Sequence, residues 1–157
     1  MSRQSIGLAN EAPTLPDRVV TLPTGTQTLD PAVHANRLLL ISTANAAYTI
    51  NLPKTKGSGD VYEFLSTVAR TSGSVVINAT HDGTSNVFVG RVLNHGSANV
   101  IVSFGSTTND IFTLDNTTTG GAVAGDRLKI VDVAVGTWRV VEGQMYSSGT
   151  HATPFSG

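Results

Sequence analysis

A chain of 157 residues is long enough to bury one substantial core but not two, which excludes a multi-domain enzyme. Only 13% of the residues are charged and ten Lys and Arg nearly cancel eleven Asp and Glu, so the basic footprint of a nucleic-acid partner is missing. The absence of Cys excludes disulfides and thiolate metal sites, leaving packing or assembly as the source of stability.

Counts of 21 Thr, 18 Val, 16 Gly, 14 Ser and 10 Asn form a vocabulary of strands and turns, poor in the residues of surface helices. No run approaches the roughly 18 apolar residues of a membrane span, and no membrane partner is expected. The opening MSRQSIGLANEAP lacks the basic-then-apolar order of a secretory signal, so a cytoplasmic site of synthesis is expected. A near-neutral surface of Ser, Thr and Asn favours association between copies.

Residues 1–17 show neither helical nor alternating periodicity, and Pro13 and Pro16 bias the residues before them to extended conformations. They read as an extended arm whose sparse apolar residues, Ile6, Leu8 and Leu15, suit contact with another surface. From Arg18 onward, short apolar or alternating runs recur, each closed by Gly, Pro, Asn or Asp. Ten strands are predicted, at 18–22, 37–42, 47–52, 61–68, 74–79, 86–92, 98–104, 110–114, 126–133 and 137–142. The last two form a hairpin through Val135-Gly136, with Arg127 and Lys129 alternating against Leu128 and Ile130. Asp30-Pro31 offers an N-cap and an N1 proline for a single helical turn. No repeat of 20 to 50 residues is visible, which argues against a solenoid. The pattern predicts an arm over 1–17, an antiparallel β-sandwich or barrel over 18–146, and a C-terminal tail over 147–157.

Chemistry-bearing motifs are sparse. The histidines His34, His81, His95 and His151 lack metal-site spacing, and His81-Asp82 coincides with an Asp-Gly turn signal. The glycines from Gly120 to Gly125 are followed by Asp126, which would repel phosphate, so the segment reads as a wide loop near an interface or rim. Gly57-Ser58-Gly59 reads as a loop tip, not a nucleophile elbow, and Asp110, Asp115 and Asp126 do not follow the pattern of a calcium loop. No metal, no cofactor and no catalytic residue are expected. Of the aromatic residues, only Trp138 and Tyr146 could form a sugar-binding platform, while Tyr146 and Phe155 could equally anchor the tail to a neighbouring subunit, the reading favoured here.

The blocks at 35–42 (ANRLLLIS), 47–53 (AYTINLP), 57–64 (GSGDVYEF), 113–121 (TLDNTTTGG), 125–133 (GDRLKIVDV), 136–140 (GTWRV) and 149–156 (GTHATPFS) resemble the small head decoration, or cement, proteins of tailed bacteriophages. Lys54 and Lys56 depart from that likeness, standing where small or apolar residues are expected. The resemblance implies a compact β fold of jelly-roll or β-tulip-like form. It also implies a homotrimer on the outer capsid surface of the virion, assembled in the host cytoplasm, with the major capsid protein as partner and no enzymatic activity. The alternatives are a phage tail or head fibre piece, a carbohydrate-binding β module and, least favoured, a small hydrolase.

Overall fold

The computed structural model describes residues 18–80, 83 and 85–157. In chain order these form β1 (Val19–Thr21), β2 (Gly25–Thr28), α1 (Pro31–His34), β3 (Arg37–Ile41), β4 (Tyr48–Asn51), β5 (Val61–Ser66), β6 (Val75–Asn78), β7 (Val87–Gly96), β8 (Ile101–Ser106), β9 (Ile111–Leu114), β10 (Arg127–Ala134), β11 (Thr137–Ser147) and β12 (Phe155–Ser156). A seven-stranded sheet runs β1-β3-β5-β10-β11-β7-β8 and a five-stranded sheet runs β12-β9-β6-β4-β2, so the chain is the all-β sandwich its composition predicts. Each of the ten predicted strands is present. The helical turn is present as well, its Asp30 side chain accepting from the Ala32 N–H beside the N1 proline.

The sheets are mixed, which corrects the antiparallel expectation. β1 pairs with β3, β3 with β5, β2 with β4, β4 with β6 and β7 with β11, all in parallel. From β1 to β6 the chain alternates between the sheets, winding three coils in which each crossover between parallel neighbours is a strand of the opposite sheet. This solenoid-like half escaped notice in the sequence for a physical reason. Side chains alternate with period two in parallel and antiparallel strands alike. Moreover, the coils differ in length, from Val19 to Leu38 and from Leu38 to Glu63, so no fixed repeat marks them.

One apolar layer fills the space between the sheets. Strict alternation in β5 and β10 sends Tyr62, Phe64, Leu128 and Ile130 inward, where they meet Tyr48, Ile50, Ile77 and Phe112 of the smaller sheet. Trp138 lies at its heart, 1% exposed, with the Tyr62 ring edge-on at 5.4 Å. Each such side chain contributes about 1.5–3 kcal/mol by leaving water, and without Cys this layer carries the stability. The predicted tail is part of it too. Ser147 closes β11, and β12 extends the smaller sheet by pairing Phe155 with Phe112.

The parallel contact between β7 and β11 is unusually close. A Cβ on Gly143, which lies at the register shift between Val140 and Gln144, would come within 2.2 Å of Val92 Cγ1. A Cβ on Gly90 would come within 2.6 Å of the Val140 carbonyl oxygen. Gly143→Ala should therefore overpack the core and lower stability by about 1–3 kcal/mol, read as a reduced urea midpoint at unchanged slope.

Candidate interaction surface

The chemistry-bearing side chains are dispersed. Among the described residues no group of three or more His, Asp or Glu is placed to hold a metal ion. The His34 ring sits against the Asp30 backbone, His95 stacks on Tyr146, and His151 is wedged against Gly96. His81 and Asp82, like the arm residues Ile6, Leu8 and Leu15, lie outside the described residues.

The glycine loop spends its amides internally. Gly120 N–H donates to Ser147 Oγ, Gly121 N–H to the Asp126 carboxylate and Ala122 N–H to the Tyr146 carbonyl. Asp115 binds the start of the loop by accepting from the N–H groups of Thr117, Thr118 and Thr119, which hold its carboxyl well below the ordinary range although desolvation opposes them. The Gly57-Ser58-Gly59 segment is a tip drawn onto Asp132, whose carboxylate accepts from the N–H groups of Lys56, Gly57 and Ser58.

One aromatic alternative is excluded and one expectation is corrected. Trp138 is sealed in the core by its inward position on β11, so no sugar-stacking platform forms with Tyr146. Phe155 is 3% exposed and packs on Phe112 at 5.4 Å and Phe88 at 6.3 Å, so it anchors the tail to its own sandwich and not to a neighbouring subunit. Burial in the protomer leaves it no surface to offer. Tyr146 is different, 43% exposed with its ring stacked on His95 at 4.6 Å.

Tyr146 belongs to an apolar patch on the outer face of the larger sheet. The register places Tyr146 beside His95 and His95 beside Ile101, with Gln144, Leu93 and Ser103 forming the next row. Ile101, Val141 and Leu93 are exposed there, and β8 ends the sheet with no further strand among the described residues. An open edge of this kind presents unpaired N–H and C=O groups to an incoming strand. A groove of about 550 Å³ crosses the same face between Arg91 and Arg139, where Gly90 and Gly105 leave the backbone uncovered. Neither arginine has an ion-pair partner among the described residues, whereas Arg127 engages both Glu63 and Glu142.

Sequence reasoning found Tyr146 but not Leu93, Ile101, Arg91 or Arg139. The available signal was a strand, Ile101–Ser106, flanked by Val100 and carrying Ile101 at a position that alternation turns outward.

Asp126 bolts the glycine loop to Tyr146, accepting from the Gly121 and Tyr146 N–H groups. Burial outweighs these bonds and raises its pKa from 3.8 to about 6. Between those values the folded chain keeps a proton that the unfolded chain has lost. The contribution of Asp126 is thus full below pH 3.8 and falls by about 3 kcal/mol as pH rises through 6. Asp115 and Asp132, held low, act oppositely and lose their contributions in acid. Measured against Asp126→Asn by urea unfolding across pH, the wild-type stability should decline relative to the variant from about pH 4 and level off above about pH 6 to 7.

Comparison of the chain with protein-family models, with curated proteins and with solved structures finds no match.

Proposed function

We propose that the chain is a bacteriophage capsid decoration protein, a non-enzymatic homotrimer that binds the outer surface of the assembled head and bridges neighbouring major capsid subunits. The observation that carries this reading is the outer face of the larger sheet, where Leu93, Ile101, Val141 and Tyr146 are exposed beside two arginines without an ion pair, and where β8 ends the sheet with no further strand among the described residues. Apolar side chains gathered at a sheet edge are what association between chains requires. The sequence blocks that resemble head decoration proteins supply the identity of the partner.

In this reading Ile6, Leu8 and Leu15, outside the described residues, make the contacts to the shell. Binding only the assembled lattice stabilises it by mass action, and many modest contacts repeated over a shell add to a large resistance to rupture.

Deletion of residues 1–16 should abolish sedimentation with empty heads while the thermal transition of the body stays in place. Full occupancy by the truncated protein would refute the arm's role. Leu93→Lys with Ile101→Lys, both at exposed positions, should cost no more than about 0.5 kcal/mol each in folding. The pair should nonetheless convert the trimer to monomer in sedimentation equilibrium, and an unchanged trimer would remove this face from the interface.

A further inference from the structure

Two arginines stand side by side on the outer face of the larger sheet with no acid to neutralise them. Arg139 of β11 pairs in register with Val89 of β7, and Arg91 follows two residues along β7, so the two are diagonal neighbours, roughly 7–8 Å apart. Buried Trp138 and Val140 on one strand, and Phe88 and Val92 on the other, turn both arginines outward. They border the groove of about 550 Å³, whose lining contains no carboxylate. Like charges so placed repel. Arg127 on the same face draws two glutamates, whereas Arg91 and Arg139 have neither a salt bridge nor a side-chain hydrogen bond among the described residues.

Gly105 keeps the groove open at the β8 edge. Its backbone conformation is one that any residue adopts, and a Cβ there would meet nothing closer than Arg91 Cγ and the Gly90 carbonyl oxygen at 3.6 Å, which is ordinary contact. The fold does not require glycine at this position, in contrast to Gly90 and Gly143. A glycine inside a strand weakens it, and often marks a place where another backbone approaches closely. Arg91 is directly opposite Gly105 in the β7–β8 pair, and its stem lies over the bare position, with Nε 3.9 Å from where that Cβ would stand.

We infer that this groove receives an extended acidic segment of a partner protein, its main chain passing over Gly105 and its carboxylates, on alternate residues, meeting Arg91 and Arg139. Side chains two residues apart on an extended strand share a face and stand about 7 Å apart, which matches the span of the two arginines. A guanidinium fork takes a carboxylate through two parallel charge-assisted bonds. A lone small anion leaves the bare backbone at Gly105 without a purpose, and a nucleotide finds no aromatic side chain in the lining to stack on. A second copy is a poor source of the acids, because Glu63 and Glu142 both go to Arg127, and Asp115, Asp126 and Asp132 go to amides of their own loops. The trimer contact proposed at Leu93 and Ile101 leaves the groove free, since Gly105 stands four residues along β8 from Ile101, about 13 Å. The site goes beyond the decoration reading and does not depend on it.

The full chain should give saturable heat on calorimetric titration with the peptide acetyl-Thr-Glu-Thr-Glu-Thr-amide, and none with its Gln-for-Glu counterpart. Acetyl-Thr-Glu-Glu-Thr-Thr-amide, of equal charge but with its carboxylates on opposite faces of a strand, should bind at least tenfold more weakly. Arg91→Gln with Arg139→Gln, at two exposed positions, should weaken the first peptide at least tenfold at an unchanged urea midpoint. Gly105→Val suits an exposed strand position, so it should hold or raise the urea midpoint while also weakening the peptide at least tenfold. The proposal is overturned if the first peptide gives no saturable heat, if the adjacent-Glu peptide or inorganic phosphate binds as tightly, or if Gly105→Val binds as the wild type does. Tighter peptide binding after deletion of residues 1–16 would assign the groove to the chain's own arm. Self-association lost in the arginine variant would assign it to a second copy, and either result overturns the partner segment. Sedimentation with empty heads is read separately, so wild-type protein that coats heads but ignores the peptide refutes this site alone, and the converse refutes the decoration reading alone.

Discussion

Everything in this fold rests on one apolar layer that neither sheet can bury alone. Each strand contributes a side chain only at alternate positions, so a strand has an inner face worth burying only when the opposite sheet is already there. The chain meets this constraint by crossing from sheet to sheet in its first half, so that β1 to β6 lay down both walls together, coil upon coil. β10 and β11 then add the hairpin that drives Trp138 into the middle of the layer, against Tyr62. Strands with little apolar content are carried by their flanks. β2 is Gly-Thr-Gln-Thr, yet Leu22 and Leu29 on either side of it are each 2% exposed and pin it to the core.

The few charges of the chain are spent largely on its own backbone. Asp115, Asp126 and Asp132 each gather several N–H groups and so hold two loops without regular structure, the first two on the glycine loop and the third on the segment before β5. Arg70, 2% exposed, does the converse, donating to the carbonyls of Thr43, Ala46 and Ser72 while its guanidinium lies 5.7 Å over the Tyr48 ring. Its charge is met by backbone dipoles and an aromatic face with no carboxylate among these partners, and desolvation lowers its pKa. A buried chain of neutral groups, Gly136 N–H to Thr55, Thr55 to Asn86 and Asn86 to the Ala79 carbonyl, ties the hairpin turn to the smaller sheet. Buried polar groups satisfied in this way fix loop positions that apolar packing leaves free.

How much of this was legible follows from which signals are local. Alternation within a strand is local, and so the Arg127–Ala134 and Thr137–Ser147 hairpin and the inward Leu128 and Ile130 could be read from the sequence. Pairing partners are not local. The parallel match of β7 to β11 joins segments far apart in the chain, and nothing in Val87 or Thr137 announces it. Burial of a given aromatic is likewise a property of the partner sheet. Trp138 and Tyr146 stand eight residues apart on the same strand, positions that strict alternation puts on one face, yet the register shift between Val140 and Gln144 reverses the alternation, and the first is core while the second is surface. Phe155 reads in the sequence as an anchor to a neighbouring subunit because the two-residue strand that contains it is defined by β9 and not by its own sequence.

The outer face of the larger sheet combines two kinds of determinant that act on different steps of association. Arg127 takes up Glu63 and Glu142, the acidic residues of its two neighbouring strands, which leaves Lys129, Arg91 and Arg139 of that face without an ion pair among the described residues. On the proposed reading these charges govern the rate and selectivity of encounter more than the final affinity. Affinity must then come from apolar contact and from main-chain pairing, and both are concentrated where Leu93, Ile101 and Tyr146 approach the open edge of β8. On that reading a thinly charged chain, with Asp115, Asp126 and Asp132 committed to its own backbone, associates through the edge and face that the described residues of its sandwich leave uncovered.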